Sequence, residues 1–240
     1  MLGKVKISFF LSRQIIICVF LALVTSAIFA QDAGNDEDVR KAIYSPYRLT
    51  LRGNGLIPHP MFNPAFKRSF DGIYDATFSL DLELKKGINI GLMYKNSGFQ
   101  TPADKIAQLN TKQQYNVGGI RLGYDYFMST VSVFSMAVNA GQCYITSYDI
   151  IPLKETHPIV NHNQGLYVEP ELSLSFYTDE QFALGFNLSY EIIGVQFDPY
   201  SLGLDQHGIS YADSDLHGYT QNLSIGFHFV YSFLKKKKRK

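Results

Sequence analysis

The chain has 240 residues, with 22 Lys+Arg against 21 Asp+Glu, 14% aromatic side chains, 19 Gly, two Cys and no Trp. A net charge of +1 gives no basic face for nucleic acid, and a chain this rich in apolar residues is not a disordered tail. The glycine and cysteine contents exclude a collagen-like fibre and a disulfide scaffold.

The first element is not part of a fold. Lys4, Lys6 and Arg13 precede the uncharged run from Ile15 to Val24, and Ser26-Ala27-Ile28-Phe29-Ala30 ends in small residues. This layout predicts a secretory signal peptide over 1–30, cut before Gln31. The apolar run is shorter than the ~20 residues a membrane helix needs. Cleavage leaves 19 basic and 21 acidic residues, and six of the basic ones form the terminal run Lys235–Lys240. Cys143 is then the only cysteine of the mature chain. It can form no intrachain disulfide and reads as a small hydrophobe. Residues 31–44 are polar and read as a lead-in.

From Tyr47 onward the chain alternates with period two. In Tyr74–Leu84 one parity is Tyr74, Ala76, Phe78, Leu80, Leu82 and Leu84; the other is Asp75, Thr77, Ser79, Asp81 and Glu83. A strand sends alternate side chains to opposite faces, so this is one apolar and one polar face. The same pattern predicts eight strands, near 47–54, 72–84, 88–96, 113–127, 131–146, 165–177, 181–197 and 220–233. After the signal segment, Asp104–Leu109 is the one candidate helical turn.

The strand charges share one parity: Arg48, Arg52, Asp75, Asp81, Glu83, Lys95, Arg121, Asp125, Glu169, Glu171 and Glu191. Alternation alone does not separate a soluble sandwich from a membrane barrel, which turns apolar side chains to lipid and polar ones inward. Connection lengths do. Three links are short (85–87, 128–130, 178–180) and four are long (55–71, 97–112, 147–164, 198–219). Strict short–long alternation is the pattern of membrane barrels, with short periplasmic turns and long outer loops. Seven of the nine prolines fall in the long links, where no ladder hydrogen bond is lost. Pro170 lies on the apolar parity inside a strand and is expected at a bulge or strand start.

The signal segment, the eight alternating stretches and the final ladder Phe227-x-Phe229-x-Tyr231-x-Phe233 resemble small outer-membrane β-barrels of Gram-negative bacteria, the OmpA-like transmembrane barrels and the PorT-type barrels. The resemblance covers about residues 45–234 and is one of pattern. It implies an all-β, eight-stranded antiparallel transmembrane barrel in the outer membrane, with both termini periplasmic. It also implies that Phe229, Tyr231 and Phe233 form a C-terminal signal for the barrel-assembly machinery.

Site chemistry is sparse. The lumen of an eight-stranded barrel is just wide enough to be filled by side chains. The eleven inward charges are therefore expected to form a buried ion-pair network with Arg121 and Arg48 or Arg52 as hubs, a plug rather than a gated pore. His59, His157, His162, His207 and His217 fall in the long links without metal-ligand spacing, and no metal or cofactor site is expected. His228 faces inward and is expected to hydrogen-bond in the lumen. No P-loop, dinucleotide fingerprint or nucleophile elbow occurs. The function expected is non-enzymatic, structural or binding, carried out by a monomer among outer-membrane lipids. The loops, with Phe62, Phe66, Phe70, Tyr200 and Tyr211 as contact points, would meet an extracellular or secretion-system protein. Two alternatives stay open: a lipid-processing enzyme using His207, Ser210 and Asp213, and a secreted lipocalin-like carrier. The basic tail Lys235–Lys240 is either a solvated end or an anchor for anionic lipid heads.

Overall fold

A computed structural model describes residues 48–84, 87–102, 111–129, 131–149, 159–204, 210–216 and 218–233. The signal segment 1–30, the lead-in 31–44, the candidate turn 104–109 and the tail 235–240 lie outside the described residues. The strands are β1 (Arg48–Pro60), β2 (Asp71–Glu83), β3 (Ile88–Gln100), β4 (Thr111–Phe127), β5 (Ser132–Asp149), β6 (Ile159–Tyr177), β7 (Phe182–Gln196) and β8 (Tyr219–Phe233). Each pairs antiparallel with its neighbours in sequence, and β8 returns to pair with β1, closing the barrel.

The registers set the barrel's geometry. From Arg48 the cross-strand partners run Glu83, Asn89, Gly123, Ala137, Glu171, Ser189 and Ser224, and Ser224 pairs with Pro58. The circuit re-enters β1 ten residues beyond its start, the stagger that tilted strands need in order to close.

The three short turns have local causes. Gly87, at φ 82, supplies the left-handed residue between β2 and β3. Ser129 Oγ accepts from the backbone N–H of Val131 (3.2 Å) and Ser132 (3.0 Å) between β4 and β5. Asp179 Oδ1 accepts from Gln181 and Phe182 N–H, both at 2.7 Å, between β6 and β7.

The outer face is apolar and exposed, including Leu80, Leu92, Leu122, Leu172 and Ile225. The face is not uniform at its upper edge, where Tyr74 Oη donates to Asn96 Oδ1 (2.6 Å) and Tyr94 Oη to Asn116 Oδ1 (2.9 Å). Amphipathic tyrosines and amides at that level mark the interfacial girdle of a membrane-spanning barrel. On β1 the outward Gly53 leaves room for the Phe229 ring, 2.3 Å from where a Cβ would sit. No helix among the described residues is long and apolar enough to cross a membrane; the crossing elements are strands.

Several expected boundaries change. β1, β3 and β6 run further at the loop end than the apolar pattern suggested, so Pro58 and Pro60 sit at the end of β1 rather than in a loop. In these extensions apolar and polar residues no longer keep to separate faces: Leu56 and Phe99 point inward while Ile57 points outward, so the alternation that reveals a strand vanishes. His59 and His162 are likewise strand residues, while His157, His207 and His217 lie outside the described residues. A helix forms where none was expected: α1 (Pro64–Ser69), with Pro64 in its first turn and Asn63 Oδ1 accepting the Phe66 N–H at 3.0 Å. Pro170 stands in mid-strand, and its register is unshifted. The β6–β7 ladder lapses between Val168↔Ile192 and Glu171↔Ser189 and resumes at the same offset. Pro170, having no N–H, cannot donate there.

Candidate functional site: the barrel lumen

The eleven charged residues of the polar parity are all buried, at 0–5% exposure. Their side chains sit on the inner face of six strands, β1 to β4, β6 and β7, because period-two alternation sends every second residue inward. They form successive layers along the barrel. Nearest the short turns, Arg48 Nε donates to Glu83 Oε2 at 2.9 Å. Arg52 bridges Asp125 (2.6 Å) and Asp81 (2.9 Å). Arg121 comes next, reaching Asp81 Oδ2 (3.0 Å), Asn89 Oδ1 (2.8 Å) and Glu171 Oε1 (3.1 Å). Arginine's planar fork suits this cross-linking, since one guanidinium satisfies acceptors on different strands.

A further hub was not foreseen. Lys95 Nζ lies 2.8 Å from Asp75 Oδ2 and 2.7 Å from Glu169 Oε1, and it also contacts Glu191. The Tyr167 ring centroid is 5.7 Å from the ammonium. Asn139 joins the two systems, its Nδ2 donating to Glu169 Oε2 (2.9 Å) and Glu171 Oε2 (3.1 Å). Parity identified Lys95 as inward, but pairing across the lumen depends on the register, which periodicity does not specify. His228 does make a lumen hydrogen bond, to Ser175 Oγ at 2.8 Å, rather than to the serines of its own strand.

Beyond Lys95 the lumen turns apolar. Tyr115, Val117, Cys143, Ile145, Tyr167 and Ile193 point inward from β4 to β7 and are buried. Loop residues descend onto them. Phe66 of α1 lies 5.3 Å, centroid to centroid, from Phe70, Phe99 and Phe197. Leu202, Leu204 and Tyr211 of the β7–β8 loop complete this cap. Ser69 Oγ and Tyr211 Oη share a hydrogen bond at 2.7 Å, and Arg68 pairs with Asp215 at 2.9 Å, tying the two loops together over the mouth. The sequence reading of Phe66, Phe70 and Tyr211 as contact points is thereby corrected: all three are buried, and of the five loop aromatics only Phe62 and Tyr200 are exposed. Burying each large aromatic contributes about 1.5–3 kcal/mol, which explains why they turn inward.

The arrangement is an electrostatically cross-linked plug beneath a hydrophobic stopper. An apolar exterior over a charged interior is opposite to a lipocalin-like carrier, which needs a polar exterior and a ligand cavity. For the alternative catalytic set, His207 lies outside the described residues, and Ser210 is exposed. Phe229, Tyr231 and Phe233 lie on the outward face of β8, with the Tyr231 and Phe233 rings 5.0 Å apart.

No family model and no curated protein matches the chain. Among solved structures it is similar to Neisserial surface protein A, at 8% identity and a TM-score of 0.48, over 77% of this chain and 97% of that one. It is also similar to Ail, the attachment invasion locus protein of Yersinia pestis, at 8% identity and a TM-score of 0.43, over 79% and 100%. The outer membrane protein OprG of Pseudomonas aeruginosa aligns at 11% identity and a TM-score of 0.44, over 80% and 98%. These likenesses concern barrel architecture only.

Proposed function

We propose that the chain is a non-enzymatic outer-membrane barrel whose lumen is a structural plug and whose outer rim and loops carry a structural or binding role. The observation that carries this reading is the lumen itself: Arg48, Arg52, Arg121 and Lys95 are each paired with carboxylates on other strands, under an aromatic cap. A conducting pore needs a continuous wet path, and a catalytic site needs an accessible nucleophile held beside its base. In this reading the protein is a monomer among outer-membrane lipids. The barrel-assembly machinery recognises Phe229, Tyr231 and Phe233, and Phe62 and Tyr200 are available to an extracellular or secretion-system partner.

Planar-bilayer recording tests the plug. The purified, refolded barrel is expected to insert without stepwise conductance. Regular unitary steps from the unmodified protein would overturn the plug and favour a gated pore.

A further inference from the structure

The register that closes the barrel also fixes the height of every outward residue. The ten residues of stagger are spread over eight strands, so positions of equal height slip by slightly more than one residue at each strand. Levelled in this way, Arg48, Phe127, Ser132, Tyr177, Phe182 and Phe233 fall near one plane at the short-turn end. The far end of the apolar band is not level. On the outward face of β3, β4 and β5 the last large aliphatic residues are Leu92, Ile120 and Val138, followed by Tyr94, Gly118 and Ala140 and then by the amides Asn96, Asn116 and Gln142. On β6, β7 and β8 aliphatic residues continue to Leu166, Ile192 and Leu223. These three stand at the height of the three amides, on the other side of the barrel. The aliphatic band thus ends about four residues higher there, roughly 10 Å along the barrel axis.

Hydrogen bonds mark the boundary on both sides. On the low side Asn96 Nδ2 donates to Asn116 Oδ1 at 2.8 Å, and the same oxygen accepts from Tyr94 Oη, so the amides are cross-linked on the outer surface. On the high side Leu166 is 73% exposed, the most exposed large hydrophobic side chain among the described residues. The β6–β7 ladder ends at Tyr167↔Ile193, immediately beside it. Beyond that pair the facing backbone edges make no ladder bonds, which water tolerates and hydrocarbon does not. The apolar side chains thus require hydrocarbon as far as Leu166 and Ile192, and the open backbone requires it to stop just above them.

We propose that the outer leaflet meets this barrel obliquely: its hydrocarbon reaches further from the short turns against β6–β8 than against β3–β5, and lipid chains cover Leu166, Ile192 and Leu223. Continuity decides the occupant. Leu166 follows Leu172, Pro170 and Val168 on one outward face with no polar residue between them, so the high rim is an extension of the lipid-facing band. A bilayer accommodates such a wedge by inclining the barrel and by thinning against the low side. The inference goes beyond the plug reading, which a level band would suit equally well.

The test uses the full mature chain refolded into dioleoylphosphatidylcholine vesicles. Nitroxides are placed one at a time, as cysteines in a Cys143→Ser background, at Leu166, Ile192 and Leu223 and at Asn96, Asn116 and Gln142. Leu122 is the reference within the band. The ratio of collisions with oxygen to collisions with a water-soluble nickel chelate is expected to be several-fold higher at the first three positions than at the second three. Leu166→Arg is also expected to lower the urea midpoint in vesicles, and Asn116→Arg to change it far less, because the cost of arginine on a lipid face falls towards the interface. That comparison carries no label and stands if a labelled variant fails to fold. Equal ratios at Leu166 and Asn116, with Leu122 shielded from nickel, would show a level boundary and overturn the proposal while leaving the lipid-facing exterior intact. Shielding of Leu166 from oxygen and nickel alike would place protein, a partner or a second copy, on the high rim and would equally overturn it.

Discussion

Arg121→Met is expected to lower the unfolding free energy of the refolded barrel by about 3–5 kcal/mol, the cost of removing one partner from a buried ionic network. Arg121 is 2% exposed and contacts Asp81, Asn89 and Glu171 on three different strands. Methionine fills similar volume but leaves Glu171 with Asn139 as its remaining partner and Asp81 dependent on Arg52 alone. Adding Glu171→Gln to Arg121→Met should recover part of the loss, because it removes a charge that the first substitution strands. Urea titration, read by the mobility difference between folded and unfolded forms on an unboiled gel, measures both. A loss below about 1 kcal/mol, the scale of an exposed pair, would mean that the lumen is wet and the network screened.

The adjacent residue makes the opposite demand. Leu122 is 56% exposed and lies near the middle of the outward apolar band, between Ile120 and Tyr124 on β4. Leu122→Arg is expected to destabilise the barrel in a bilayer by about 2–4 kcal/mol, the midplane cost of arginine on the lipid face of a barrel. Were the same face in water, an exposed Leu→Arg substitution would fall within about 0.5 kcal/mol of neutral. Arg121 is thus needed and arginine at 122 is not tolerated. Measuring the variant in vesicles distinguishes the two environments, and a neutral result would contradict a lipid-facing exterior.

Much of this was legible from residue parity. Strands that face lipid on one side and a polar lumen on the other must alternate, so Asp75, Asp81 and Glu83 declared both the strand and its inner face. Legibility ended where that contrast ended. Above the bilayer the outer face of β6 becomes Gln164 and His162, and from Asn161 to Gly165 no apolar side chain marks the strand. The apolar cap did leave a signal, since Tyr115 and Val117 on β4, and Ile193 beside Ile192 on β7, are apolar residues on the inward parity. Helix α1 was announced only by Asn63-Pro64, a cap and first-turn pair for a helix of six residues. The Lys95 hub depends on which strands face one another across the lumen, information held in the closed register rather than in any one segment.

The claim on which the account rests is that the apolar face meets lipid. Nitroxide labels at Leu92, Leu122, Leu172 and Ile225, introduced one at a time as cysteines in a Cys143→Ser background, address it directly in vesicles. Collision with dissolved oxygen is expected to be frequent and collision with a water-soluble nickel chelate rare at all four positions, with Leu122 among the deepest. Free access of the nickel chelate to Leu122 and Leu172 would place that face in water and contradict the account.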